Sequence, residues 1–407
     1  MGYEILSVDN LERFLLGINE IKSYFEGSSL DIKEIGDGNV NFVFLAVSKD
    51  DPTRSLIIKQ AVPYLRCAGE EYPLSRERMS YEIRALKTYG DFIGDFVPKV
   101  YYADEKMSLV VMQNLSNHII MRLGLIDGKK YPLFSEHISS FLANTLFLTS
   151  SLHLSSQEKR EMMSRFNNNS ELCKLTEDFV FTFPYMDHET DFIDEGMQED
   201  AKILFKDMDF KREVLKLKYI FMTHTDALLH GDLHTGSIMI NEKETFVIDP
   251  EFAFFGPFGF DIGAIIANLF SAAIYHHIVT KDNDYQEWIY KTVIEIYEKF
   301  EEKFLALWDK EKNSALITEG FIDEKNFSLF KKEFMQNIFK ESIGFAGCKM
   351  ARRVFGIAGV KEIRGIEDKT LRQKAERKAL DIGVMMVKSH NKINSPKEFT
   401  EAVRERL

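Results

Sequence analysis

The sequence predicts an α+β fold in two lobes: a β-rich N-terminal lobe over residues 1–113 and a larger, mainly helical C-terminal lobe over 114–407. Three observations predict it. Residues 30–62 and 97–116 run in short apolar-polar alternations broken by turn residues, the period-2 signature of strands. Beyond residue 116 the apolar spacing turns mostly helical, with a hairpin at 237–250 as the main exception. Finally, 407 residues that are 45% hydrophobic and 13% aromatic supply a large core, and a chain of that length divides into more than one compact piece.

Taken in order, "LDIKEIGDGNVNFVFLAVSKDDPTRSLIIKQAV" gives a run, a glycine-bearing turn, a second run, a turn at "KDDPTRS" and a third run, which is an antiparallel meander. "LSRERMSYEIRALKTYGDF" follows as a helix, with Met79, Ile83, Leu86 and Tyr89 at three- or four-residue spacing. "VPKVYYADEKMSLVVMQNLS" supplies two more strands, and the lobe boundary falls near its end. The most apolar run, "FDIGAIIANLFSAAIYHHIV" at 260–279, is interrupted by Asp261, Asn268 and two histidines, so it reads as a buried helix rather than a membrane span. "NNNS" at 167–170 and the charged stretch 362–378 read as exposed.

The net charge of −12 argues against a nucleic-acid groove, which needs clustered Lys and Arg. Cys67, Cys173 and Cys348 are far apart and form no CxxC pair, which fits a reduced cytosolic protein. The N-terminal "MGYEILSVDN" has neither a basic nor an apolar leader segment, and Leu6 stands where a myristoylation signal needs Ser or Thr. Neither export nor a lipid anchor is expected.

Candidate chemistry begins at "EIGDGNVNFVF". Gly36 and Gly38 sit between two strands, where a backbone without Cβ can approach phosphates; with Asn39 and Asn41 they form the candidate phosphate loop, although a plain hairpin turn gives the same pattern. Lys59 ends the third strand in "LIIKQ"; buried, it needs an anion, and on an edge strand it is a solubility residue. Helical Glu82 is its natural partner, with Glu77 as the second candidate. In "HGDLHTGSIMINEKETFVIDPE" (230–251), Asp232 lies in a loop while Asp249 and Glu251 lie just past a strand, so all three carboxylates can meet at one end of the hairpin. Carboxylates gathered without lysines require a cation or a proton, and magnesium, an oxygen-seeking ion that bridges to phosphates, is the obvious cation.

"HGDLHTGS" followed by "IDPE" resembles the catalytic and metal motifs of the protein-kinase-like superfamily, in the small-molecule branch beside the aminoglycoside and choline kinases. Across nearly the whole chain, "IGDGNVNFVF", "GEEYPLSRERMSYE", "HGDLHTGSIMI", "IDPEFAFFGPFGFDIGAIIANLF" and "KMARRVFGIAG" resemble the 5-methylthioribose kinases. The resemblance implies a bilobal protein-kinase-like fold that uses ATP and Mg2+ to phosphorylate 5-methylthioribose at the anomeric hydroxyl, in methionine salvage. It further implies a cytoplasmic homodimer with neither nucleic-acid nor membrane partners. Asp232 then matches the aspartate that accepts or orients the substrate hydroxyl, and Asp249 the metal-binding aspartate of the kinase D-F-G triplet, here D-P-E. The asparagine that usually follows the catalytic aspartate by five residues is Ser237, and Glu251 restores that metal ligand. Lys59 and Glu82 match the phosphate lysine and its helix partner. Gln113, Asn114 and Leu115 match the hinge that offers backbone groups to adenine.

Arg352 and Arg353, within "GFAGCKMARRVFGIAG", match the paired arginines that neutralise phosphoryl charge and bind sugar hydroxyls. His234 is placed beside the substrate, His230 reads as structural, and Asp261 as a brace for the catalytic loop. Tyr72, in "GEEYPL", departs from the family's tryptophan, and the hinge "QNLS" from its acidic version. Two other functions set the contrast. One is a kinase for another small alcohol, such as choline, homoserine or an aminoglycoside; choline would need an aromatic and acidic cage for its cation, and paired arginines near the site would repel that cation. A nucleotide-binding pseudokinase would not keep Asp232, Asp249 and Lys59 together.

Overall fold

The computed structural model describes residues 2–35, 40–65 and 69–407, with the main chain alone at residue 65 and at 69–72. Gly36, Gly38, Asn39, Cys67 and the side chain of Tyr72 therefore lie outside the described residues. The chain divides into two compact units: Met1–His118 with Phe246–Ala253, and Ile119–Thr245 with Phe254–Leu407.

The first unit is built on a five-stranded antiparallel sheet in the order Leu30–Glu34, Asn41–Ser48, Ser55–Ala61, Leu109–Gln113, Val100–Asp104. The expected meander and both further strands are present. Strand alternation sends Phe44, Ala46, Leu56, Ile58, Leu109 and Val111 into one core, closed by Leu11, Leu15 and Ile21 of the short helices Val8–Leu16 and Asn19–Tyr24. Lys59 alternates out of that core, opposite Val43 and Val110 on the central strand of the five. The edge-strand reading of this lysine therefore fails, because neighbours on both sides leave it only 4% exposed. Helix Arg78–Ile93 buries Met79, Ile83, Leu86 and Tyr89, as its spacing predicts.

The second unit is mainly helical. Helix Gly259–Tyr275 is buried along almost its whole length, and it runs into a π-helical turn at His276–Thr280. Among the described residues, Gly259–Thr280 is the one helix long and apolar enough to cross a membrane, and 78% of its apolar window is buried within the protein. Close packing is written into the glycines. A Cβ on Gly263 would sit 2.5 Å from Ser342 O, and one on Gly347 2.7 Å from Gly383 O, so helices Gly259–Tyr275, Glu324–Phe355 and Lys369–Ser389 approach at backbone contact. Phe181, Phe221, Phe260 and Phe345 fill the adjoining core through tilted and edge-to-face contacts.

The two stretches expected to be exposed are only partly so. Asn169, Glu362 and Glu376 are buried, at 2%, 0% and 0% exposure. The polar composition concealed an alternation in which some members turn inward against basic partners, as Glu362 does toward Arg122.

Candidate active site

In the first unit, charge gathers on the sheet face beside helix Arg78–Ile93. Lys59 Nζ lies 2.8 Å from Oε2 of Glu82, and both side chains are buried. The same ammonium contacts Oδ1 of Asp249. Burial by itself pulls the Lys59 pKa down, but Asp249, Glu82 and Glu251 together carry it above its ordinary value, so the ammonium stays charged. Burial pushes the Glu82 carboxyl up to about 7, against the pull of Lys59.

Asp249 sits just past strand Thr245–Val247 in the left-handed region (φ 62°, ψ 47°), and the turn Pro250–Phe252 follows directly. An aspartate tolerates this conformation because its short side chain is less crowded there than a branched one. Glu251 Oε2 accepts from Asn41 Nδ2 at 3.3 Å and lies 3.7 Å from Arg78 Nε. Arg78, which the sequence reading passed over, donates to Ser75 O (2.6 Å), Val62 O (3.1 Å), Val40 O (3.1 Å) and Asn41 Oδ1 (2.8 Å). Its guanidinium thus ties the strand ends and Asn41 to Glu251. The only trace in the sequence is a basic residue opening a helix, a place where a surface arginine is unfavourable.

The expected hinge residues close strand Leu109–Gln113 and the bend after it. Gln113 Oε1 accepts from Lys99 N at 3.3 Å, Asn114 Nδ2 donates to Ser55 Oγ at 2.9 Å, and Leu115 is buried. Their side chains are thus engaged within the protein.

In the second unit, buried strand Ala227–Leu229 pairs with Phe254–Gly256 and delivers the loop that holds Asp232. Asp261 Oδ2 accepts from His230 N at 2.7 Å and Oδ1 from Gly231 N at 3.1 Å, so the aspartate does brace this loop through backbone amides. His230 is structural as well: it is 1% exposed, and its Nδ1 accepts from Asp232 N at 3.2 Å. Ser237 Oγ donates to Asp232 O at 3.1 Å, which turns the hydroxyl into the loop's own backbone.

Asp232 is surrounded by basic side chains. Lys349 Nζ lies 3.2 Å from Oδ1, and His234 Nε2 3.4 Å from Oδ2. Burial alone would raise the Asp232 pKa, yet Lys349 foremost, with His234, Arg352 and Arg353, holds it well below the ordinary carboxylate range. Burial lowers the His234 pKa to about 3, so the ring is neutral. Its Nδ1 accepts from Gly236 N at 2.9 Å, which assigns the proton to Nε2, the nitrogen directed at Asp232.

Arg352 and Arg353 are each 8% exposed, near the C-terminal end of helix Glu324–Phe355. Arg353 Nη1 donates to Ala358 O at 3.0 Å, while Arg352 Nε is buried with no protein acceptor. Arg122 Nε lies 3.3 Å from Oε1 of fully buried Glu362, and its Nη2 donates to Asn268 Oδ1 at 2.9 Å.

Asp232, His234, Arg352 and Arg353 therefore come together in one unit, and Asn41, Lys59, Glu82, Asp249 and Glu251 in the other. Lys349, Arg122 and Glu362 were missed. Lys349 had a signal, since it precedes Arg352 and Arg353 by three and four residues and so shares their helix face. Arg122 and Glu362 had none, being remote in sequence from each other and from the motifs.

The premise that the three carboxylates come without lysines is corrected here. Asp249 has Lys59, Glu251 has Arg78 and Asp232 has Lys349, all supplied from distant sequence. Accordingly, among the described residues no group of three or more His, Cys, Asp or Glu side chains forms a ready metal cage. What remains at Asp249 and Glu251 is a pair of hard carboxylates, Asp249 with a 47% exposed side chain, which fits an ion that completes its shell with water and phosphate oxygens.

Residues 186–288 match the Phosphotransferase enzyme family. The methylthioribose kinase of Geobacillus sp. (strain WCH70) is 41% identical over 375 residues, covering 92% of this chain and 90% of that one. Methylthioribose kinase 1 of Oryza sativa subsp. japonica is 40% identical over 409 residues, covering 97% and 94%. Among solved structures, the choline kinase of Cryptosporidium parvum Iowa II aligns over 94% of this chain and 99% of its own, with 11% identity and a TM-score of 0.46.

Proposed function

The chain belongs to the methylthioribose kinase family, and from that premise we propose that it transfers the γ-phosphoryl of ATP to the anomeric hydroxyl of 5-methylthioribose, giving 5-methylthioribose 1-phosphate. The observation that carries the chemistry is Asp232, a partly exposed carboxylate kept ionised beside Lys349, Arg352 and Arg353. An ionised carboxylate accepts the hydroxyl's hydrogen bond, while the guanidinium groups offer donors to sugar oxygens and charge to the moving phosphoryl. The hydroxyl oxygen bonds to the γ-phosphorus, the bond from that phosphorus to the bridging oxygen breaks to release ADP, and the proton passes to Asp232.

In the same reading Lys59, fixed by Glu82, meets nucleotide phosphates, as do the loop residues Gly36, Gly38, Asn39 and Asn41; Gln113, Asn114 and Leu115 line the adenine. Asp249 and Glu251 would hold magnesium, which neutralises phosphate charge when bound. His234 lies on the sugar side, with its Nε2 proton directed at Asp232. The setting is cytoplasmic and the enzyme a homodimer, for which light scattering should give about twice the 47.2 kDa chain mass.

The deciding experiment is a coupled ADP-release assay across methylthioribose, ribose, choline, homoserine and kanamycin. Methylthioribose should lead ribose by about 10- to 200-fold in kcat/KM, the discrimination an apolar pocket achieves for a small hydrophobic group. Turnover of choline or kanamycin with none of methylthioribose overturns the reading.

A further inference from the structure

We propose that Lys349 is a positioning residue for the phosphoryl transfer: its ammonium, 3.2 Å from Oδ1 of Asp232, fixes the carboxylate so that Oδ2 is the oxygen that takes the sugar hydroxyl. The inference rests on the methylthioribose kinase reading and adds to it a residue outside the arginine pair.

The geometry supports it in three ways. First, Lys349 is 4% exposed and lies between Cys348 and Met350 on a helix packed against helices Gly259–Tyr275 and Lys369–Ser389. A buried ion pair adds little net stability, because desolvating both groups offsets their attraction, so an apolar residue of similar volume would serve the fold at least as well. Second, Arg352 and Arg353 already lower the pKa of Asp232. A third cation on the same helix is repelled by them and is not needed to balance a single carboxylate. What it adds is direction: Nζ engages Oδ1, the His234 Nε2 proton approaches Oδ2, and the carboxylate plane is held from both sides. Third, the Phe260 ring centroid lies 4.5 Å from Nζ, so an aromatic face confines the ammonium.

Asp232 and His234 face Lys349 from the loop, Asp261 from the start of helix Gly259–Tyr275, and Arg352 and Arg353 from its own helix. Burial lowers the Lys349 pKa to about 8, with Arg352 and Arg353 adding to that effect and Asp232 opposing it. Below that pH the ammonium is present and Asp232 is held. Above it the positive charge that holds the carboxylate is lost and the carboxylate is free to rotate, so kcat should fall along an alkaline limb near pH 8 while ATP binding persists.

The test uses the full-length chain with ATP, magnesium and methylthioribose, and compares Lys349→Met, Lys349→Arg, Asp232→Asn and the Asp232→Asn/Lys349→Met double variant. Lys349→Met should lower kcat by about 30- to 100-fold, with KM for ATP within about twofold of the parent. Lys349→Arg should recover part of that loss and remove the alkaline limb, since a guanidinium does not titrate there. The double variant should be no slower than Asp232→Asn alone, because a residue that acts through Asp232 has nothing left to position. The proposal is overturned if Lys349→Met keeps kcat within about twofold, if the two losses multiply, or if Lys349→Arg retains the limb near pH 8. Should Lys349→Met not fold by circular dichroism, the Lys349→Arg profile decides alone. A parent enzyme inactive on methylthioribose but active on another alcohol sinks the substrate reading, and the same comparison is then run on that alcohol.

Discussion

In the unit formed by Met1–His118 and Phe246–Ala253, Lys59 and Arg78 face Glu82, Asp249 and Glu251, so carboxylates outnumber cations. In the other unit, Arg122, Lys349, Arg352 and Arg353 face Asp232, Asp261 and Glu362, and the imbalance is reversed, four cations to three carboxylates. A cluster with surplus carboxylate gains from an added cation, which suits a metal bridging to phosphates. A cluster with surplus cation gains from an added anion and keeps Asp232 ionised, which suits a negatively charged phosphoryl arriving at a hydroxyl. The same residue types, set in opposite balance, thus leave the two units with opposite surplus charge.

The largest effect should come from Asp232→Asn. It should cut kcat by about 10²- to 10⁴-fold while Mg-ATP affinity, measured by calorimetry, stays within about twofold. A loss of Mg-ATP affinity here would break the division of labour. Asp249→Ala should do the reverse, weakening Mg-ATP binding and turnover together by about 100-fold, and an unchanged calorimetric affinity would remove Asp249 from the metal. Gly263→Ala comes next, because its methyl would meet Ser342 O at 2.5 Å. It should lower the urea-unfolding stability by about 1–3 kcal/mol and raise KM for the sugar more than for ATP, since the displaced helix carries Lys349, Arg352 and Arg353. Equal effects on both substrates would show that the clusters are not separable in this way.

How much of this the sequence carried follows from how local each signal is. Sheet, helix Arg78–Ile93 and buried helix Gly259–Tyr275 were legible because periodicity is a property of neighbouring residues. Pairing Lys59 with Glu82 was legible for a different reason: a lysine on a buried strand creates an anion requirement that few nearby residues meet. Arg78 was not legible, since a guanidinium that binds carbonyls across a strand turn leaves no periodic trace. Glu362 was misplaced because seventeen largely charged residues read as a solvated face, whereas its partner Arg122 lies 240 positions earlier. Lys349 falls between these cases: its spacing to Arg352 and Arg353 was available, but its contact with Asp232 depends on how helix Glu324–Phe355 docks.

The smallest effect, and the finest test of the comparison, is Glu251→Gln. In the first unit Glu251 has two competing uses: Oε2 accepts from Asn41 and faces Arg78, while as a carboxylate it is also fit to share magnesium with Asp249. If it serves the metal, removing its charge while keeping one oxygen should raise the magnesium concentration for half-maximal rate by about 3- to 10-fold, and excess magnesium should refill the site and restore most of the rate. Ser237→Asn should not add to that recovery, because Ser237 Oγ is spent on Asp232 O within its own loop. If it serves only Arg78, the magnesium titration should match the parent while the melting temperature falls, since a buried guanidinium loses its ionic partner and faces an amide instead. That second result would leave Asp249 as the metal carboxylate and turn the surplus of the first unit from three carboxylates over two cations into a closed Arg78–Glu251 pair beside Lys59, Glu82 and Asp249. The contrast between the two units would survive, but it would rest on Asp249 and not on the whole D-P-E turn.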